Sequence, residues 1–122
     1  MPSTIILVRV FVETSQIELC EQAAVSVISM FEQCVGLSRK SINTYWKSPQ
    51  YIEIFLEFIP KEDSDAAFQH IVDELGQGWN FRQSSLEKWA VWTPSELNKF
   101  SISDVRWASV DLIQESPFSS IM

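Results

Sequence analysis

The chain has 122 residues, 46% of them hydrophobic and only three of them glycine, enough to bury a single core without a disulfide or metal staple. Sixteen acidic against nine basic residues give a formal charge of −7, and Arg39-Lys40 is the only adjacent basic pair. That balance excludes the basic stripe with which nucleic-acid binders neutralise phosphates, and it suits solubility or steering toward a basic partner.

Residues 5–12 (IILVRVFV) are nearly all β-branched, aliphatic or aromatic and read as a strand buried on both faces. Arg9 interrupts this apolar run and no cleavage site follows it. The run is too short to span a bilayer and has the wrong flanks for a signal peptide, so residence in the cytosol is expected. Thr14-Ser15 offers an N-cap, and apolar residues then recur at helical spacing from Ile17 to Val35, with Gly36 at a C-cap position. Cys20 and Cys34 both fall in this expected helix. Fourteen residues at about 1.5 Å each hold them roughly 21 Å apart, beyond disulfide reach, so both are expected as free thiols.

Residues 41–47 and 51–59 read as a hairpin around Ser48-Pro49-Gln50. In the second strand Ile52, Ile54, Leu56 and Phe58 point one way and Tyr51, Glu53, Phe55 and Glu57 the other. Asp63 or Ser64 caps a second helix over 64–76, with Ala67, Phe68, Ile71, Val72 and Leu75 inward. Trp79-Asn80-Phe81 reads as a short extended piece, 87–93 and 104–113 as two further strands, and Pro94-Ser95-Glu96 as one helical turn between them. The tail 116–122 reads as frayed, and the whole chain 1–122 as one domain.

The order β-α-β-β-α-β-β implies an α+β, ferredoxin-like β-α-β-β-α-β sandwich, antiparallel-rich, with both helices on one face of the sheet. The added C-terminal strand is expected to extend the sheet at one edge.

Chemistry is not legible in the motifs. A single His70 on the second helix reads as a surface or half-buried histidine rather than a base, since no partner for it is identifiable. One histidine and two separated cysteines make no zinc set, three glycines make no phosphate cradle, and no serine sits in a nucleophile elbow. Glu53 and Glu57 share a strand face, but four residues span roughly 13 Å, longer than the separations of about 5–10 Å used by glycosidase carboxylates. No catalytic residue, metal or cofactor is therefore expected.

The composition of the second sheet face carries the functional reading. If Ile6, Val8, Val10 and Val12 lie under the helices, Arg9 and Phe11 lie opposite, with Glu53, Phe55 and Glu57. In the last strand Ala108, Val110 and Leu112 suit the helix side, which leaves Trp107, Ser109 and Asp111 outward. Aromatics ringed by charge are what protein interfaces use, so Glu53, Phe55, Glu57, Trp107 and Asp111 are the candidate partner-binding residues. The bland alternatives are a solvated strand face, or a second small core beneath 78–87 or 94–103. Stacked single-stranded RNA is disfavoured by the carboxylates.

In size, acidity, five tryptophans (Trp46, Trp79, Trp89, Trp92, Trp107) and lack of a catalytic motif, the chain resembles the small acidic immunity proteins of bacterial polymorphic and contact-dependent growth-inhibition toxins. The resemblance implies a stoichiometric inhibitor of a cognate toxin domain, a nuclease or other effector with a basic cleft. From the charge balance and the short apolar run, no nucleic-acid or membrane partner is expected. A dimeric, ferredoxin-like ligand-sensing module is the alternative, and a small enzyme of the dimeric α+β barrel type is third.

Overall fold

The computed structural model describes residues 4–114. The expected frayed tail, 116–122, lies outside the described residues. The fold is α+β, with a six-stranded antiparallel sheet and two helices.

Chain order runs β1 (Thr4–Glu13), α1 (Ile17–Phe31), β2 (Val35–Thr44), β3 (Tyr51–Pro60), α2 (Ser64–Leu75), β4 (Gly76–Gln77), β5 (Asn80–Gln83), β6 (Glu87–Trp92), β7 (Lys99–Phe100) and β8 (Val105–Gln114). In the main sheet the strands lie in the order β2-β3-β1-β8-β6-β5, while β4 and β7 form a separate two-stranded ribbon.

The helix side is the core side. Ile6, Val8, Val10 and Val12 of β1, Ile52, Ile54, Leu56 and Phe58 of β3, and Ala108, Val110 and Leu112 of β8 are all buried, as their alternation requires. Against them pack Cys20, Ala24, Val27 and Phe31 of α1 and Ala67, Phe68, Ile71, Val72 and Leu75 of α2. Helix α2 starts where the sequence places it: the Asp63 carboxylate accepts from the backbone N–H groups of Asp65 and Ala66, at 3.0 and 3.1 Å. Before α1 the Thr14 hydroxyl accepts from the Gln16 N–H at 3.1 Å, but Gln16 takes the cap position with no side-chain bond of its own.

Four expectations need correction. Helix α1 ends at Phe31, not Val35, because the Cys34 N–H donates to the Phe31 carbonyl at 3.0 Å in a tight turn. Val35 then enters the core from a strand, which mimics one more helical repeat, and Gly36 belongs to β2 rather than to a cap. Cys20 and Cys34 therefore do not share a helix, and both are free thiols. Second, β2 spans 35–44 instead of 41–47. It is the outer strand of the sheet, mostly exposed on both sides, and so lacks an alternating signature. Its bulge between Leu37 and Arg39 and its Arg39-Lys40 pair are devices that protect an edge against unwanted pairing.

Third, the C-terminal strand is not at the edge. β8 lies between β1 and β6, and the short β5 closes that side instead. A strand burying Val105, Ala108, Val110 and Leu112, with Ser109 also only 5% exposed, needs neighbours on both sides. Fourth, Pro94-Ser95-Glu96 opens a single hydrogen-bonded turn, the Asn98 N–H donating to the Ser95 carbonyl at 3.2 Å, but not a helical one. They belong to an irregular loop in which the Asn98 side-chain amide donates to the Thr93 carbonyl at 2.7 Å. Asn98 also sits where a side chain on Gly78 would project, and Gly78 has φ +96, so glycine is required there twice over.

The segment 76–102 builds a satellite cluster on the core side. Trp92 donates from Nε1 to the Gln77 carbonyl at 2.9 Å, Trp79 donates to the Gly76 carbonyl at 3.0 Å, and Phe100 packs between both indoles. Phe100 and Ile102 thereby join the main core. Residues 94–103 are thus committed to the helix layer and do not roof the opposite sheet face.

Candidate functional site

Antiparallel partners in register share a face, so the pairing assigns the open side row by row. One row crosses four strands as Asn43, Glu53, Phe11 and Trp107. The next runs Ser41, Phe55, Arg9, Ser109, Val91 and Asn80, and the third Arg39, Glu57, Leu7, Asp111, Trp89 and Arg82. All five residues singled out from the sequence lie on this face, each half-buried. Glu53 and Trp107 flank Phe11, and Glu57 and Asp111 flank Leu7. Phe55 and Trp107 do not meet: Phe55 lies beneath the Arg39 guanidinium, 5.6 Å from its ring centroid.

Trp107 instead belongs to an aromatic ridge. Its ring centroid is 5.4 Å from Phe11, Phe11 is 4.7 Å from Tyr45 in an edge-to-face pair, and Tyr45 is 6.2 Å from Trp46. Such pairs contribute about 0.5–1.5 kcal/mol each beyond the area they bury. The ridge therefore holds its shape before anything binds. It ends at the β2–β3 turn on Trp46, which is 80% exposed, with the Lys47 ammonium 5.0 Å from its ring. An unburied indole at the end of a preformed ridge has the chemistry of an interface hot spot.

Tyr45, Trp46 and Arg106 are the members that sequence reasoning missed, whereas the alternation of β3 already turns Tyr51 to this side. The register of β8 shifts beside Phe11 and Val12, and that bulge sets Arg106 and Trp107 on the same side as Phe11. Strand alternation carries no signal for it. Tyr45 and Trp46 are turn residues, reading as strand only because β2 looks displaced along the chain.

Arginines balance the carboxylates of this face. Arg9 grips Glu53 through Nε and Nη2 at 2.9 and 2.8 Å, and lies 5.6 Å from the Phe11 centroid. Arg106 Nε meets Glu13 at 2.8 Å, and the Ser38 hydroxyl donates to Glu57 at 2.9 Å. These pairs are largely solvated, so their contribution to stability is small. Their value is in orienting the guanidinium groups. The net negative charge resides in the helix layer, where α1 and α2 carry Glu18, Glu21, Asp65, Asp73 and Glu74 and neither has a lysine or arginine.

Asp111 is the carboxylate least at ease. Its strand neighbours across the sheet are Leu7 and Trp89. Burial, and secondarily the Glu87 carboxylate, push its pKa above the ordinary 3.8 against the opposing pull of Arg9. An acid that holds its proton more tightly folded than unfolded makes stability fall as pH rises from the unfolded value through the folded one. Asp111→Asn should therefore raise stability at about pH 7 and lose that advantage below about pH 3.5, where the carboxyl is protonated in both states. Urea denaturation of both proteins at the two pH values measures this, and a pH-independent difference would overturn the assignment.

A concavity of about 450 Å³ opens on the ridge, lined by Arg9, Phe11, Tyr45, Tyr51, Arg106 and Trp107. A second hollow, of about 370 Å³, lies between α1 and the 101–104 loop and has Cys20 in its wall, a thiol whose pKa burial raises. His70 is exposed and stands edge-on to Phe31 at 5.5 Å. Among the described residues no cluster of three or more His, Cys, Asp or Glu side chains could hold a metal, and no helix is long and apolar enough to cross a membrane. No protein-family model, curated protein or solved structure matches the chain.

Proposed function

We propose that this chain is a stoichiometric inhibitor, an immunity protein that binds and neutralises a cognate bacterial toxin domain through its open sheet face. The observation that carries this reading is the preformed aromatic ridge from Trp107 to Trp46, half-buried at one end and freely exposed at the other. Large rigid aromatics of this kind bury much area on binding at little entropic cost.

Strands β1, β2, β3 and β8 with the two helices form a ferredoxin-like unit in the order β2-β3-β1-β8, and the β5–β6 hairpin is an addition on the far side of β8. Two roles divide between the faces. The helix layer supplies the long-range negative field that steers a basic domain inward, and the sheet face supplies the short-range contact.

A second reading, a regulatory module that dimerises through its sheet, draws support from the alternation of arginines and carboxylates on that face, which makes it complementary to itself. Co-expression with the product of the adjacent upstream gene separates the two. The inhibitor reading expects a stable one-to-one complex and rescue of growth if that product is toxic. A folded protein giving neither effect, and sedimenting alone as a dimer, would replace the inhibitor with the regulatory module.

A further inference from the structure

We infer that the concavity between Phe11, Tyr45, Tyr51 and Trp107 is a receptor for a planar aromatic ring carrying a carboxylate. This goes beyond the inhibitor reading, and its test needs no protein partner. The volume of about 450 Å³ falls within the range of roughly 300–1,000 Å³ that small-molecule sites occupy. Its walls are ring faces and edges, set at 67° and 58° to one another across the Tyr45–Phe11–Trp107 run, so an inserted flat ring meets aromatic surface rather than aliphatic side chains.

The remaining lining is cationic. Arg9 spends Nε and Nη2 on Glu53, and Arg106 spends Nε on Glu13. A guanidinium has five N–H donors, so each keeps donors for an incoming carboxylate. Each ion pair holds its guanidinium in place and leaves N–H donors over. Two guanidinium groups in the lining disfavour an ammonium-bearing ring. A long polyanion is disfavoured by Glu13 and Glu53, the carboxylates paired with the arginines, and by the net charge of −7. A compact aromatic acid satisfies both the aromatic walls and the two guanidinium groups.

The experiment uses the full chain and four probes: indole-3-acetate, indole-3-acetamide, tryptamine and a uridine hexaribonucleotide. Binding is followed by equilibrium dialysis of each probe, and in the parent chain also by the NMR shift of the Trp107 indole N–H. Indole-3-acetate should saturate with a Kd of about 1 mM or below, the acetamide should bind at least about fivefold more weakly, and tryptamine more weakly still. Arg106→Gln removes an exposed side chain and preserves the fold; it should bring the acid-to-amide preference close to one. Trp107→Ala should abolish binding of both. Failure of the acid to saturate at about ten times that concentration, or tryptamine binding as well as the acid, overturns the proposal. So does a hexanucleotide that binds more tightly than the acid with an affinity falling steeply with salt, an outcome that would make the ridge a single-strand stacking platform.

Discussion

Val110→Asp should abolish cooperative folding at neutral pH. Val110 is 0% exposed, on β8, with Val8 of β1 on one side and Ala90 of β6 on the other. An aspartate there forfeits about 1.5–3 kcal/mol of apolar burial and adds a buried, unpartnered charge costing several kcal/mol more. A domain of this size has only about 5–15 kcal/mol of stability to lose. Ile113→Thr, three residues along the same strand but on the half-exposed open side, should cost about 1 kcal/mol. Thermal melts followed by circular dichroism distinguish the two. A Val110→Asp protein melting cooperatively within a few degrees of the parent would mean that β8 is not an interior strand.

Truncating Trp107 to alanine should weaken the complex with the cognate partner by about 2 kcal/mol or more, about thirtyfold in Kd, mainly through faster dissociation. The effect should exceed that of Phe55→Ala. Trp107 is part of the four-ring ridge, whereas Phe55 is already covered on one side by Arg39. Charge reversal should act differently. Glu53→Lys removes the partner of Arg9 and sets two cations side by side, and Glu57→Lys removes the acceptor of Ser38. Together they should slow association with a basic partner and flatten its salt dependence. Surface plasmon resonance with the purified partner resolves the two rates. If both substitutions leave affinity and association rate unchanged, the partner docks on the acidic helix layer and the sheet face is not its site.

How much of this was legible depended on burial asymmetry. β1 and β3 have one face in the core and one half-exposed. Residues 51–59 alternate, so the facing of Glu53, Phe55 and Glu57 follows from the sequence, whereas 5–12 is apolar save for Arg9 and reads as buried on both faces when only one is. Helix α2 is bracketed by Asp63 and Gly76 and carries a five-residue apolar stripe, so its start and inner face are equally clear. β2 is exposed on both sides, and the run Leu37-Ser38-Arg39-Lys40-Ser41 has no period to read. Strand order is a tertiary property. The segments 87–92 and 105–114 are both apolar and antiparallel-compatible, and only the larger core contribution of β8 decides which one sits beside β1. In the ridge, Phe11 and Trp107 follow from alternation, and what the sequence hides is their union with Tyr45 and Trp46 of the β2–β3 turn. The charge balance of the face was likewise hidden, because Arg106 and Glu13 are 93 residues apart in the chain.

The interior position of β8 also governs when the protein can become itself during synthesis. β1 is made first, yet one of its two edges stays unpaired until residue 114 has emerged, since β8 binds it from Thr4↔Gln114 to Val12↔Val105. At about 5–20 residues per second, the stretch from the end of β3 to the end of β8 takes on the order of several seconds to translate. Through that interval the nascent chain presents an open strand edge and the apolar side of β1, the kind of surface that chaperones hold and that neighbouring chains aggregate on. Pairing strands so far apart in sequence also makes the final step slow. Completion of the sheet therefore waits on residues 105–114, and a chain cut short of them leaves β1 paired on one edge alone.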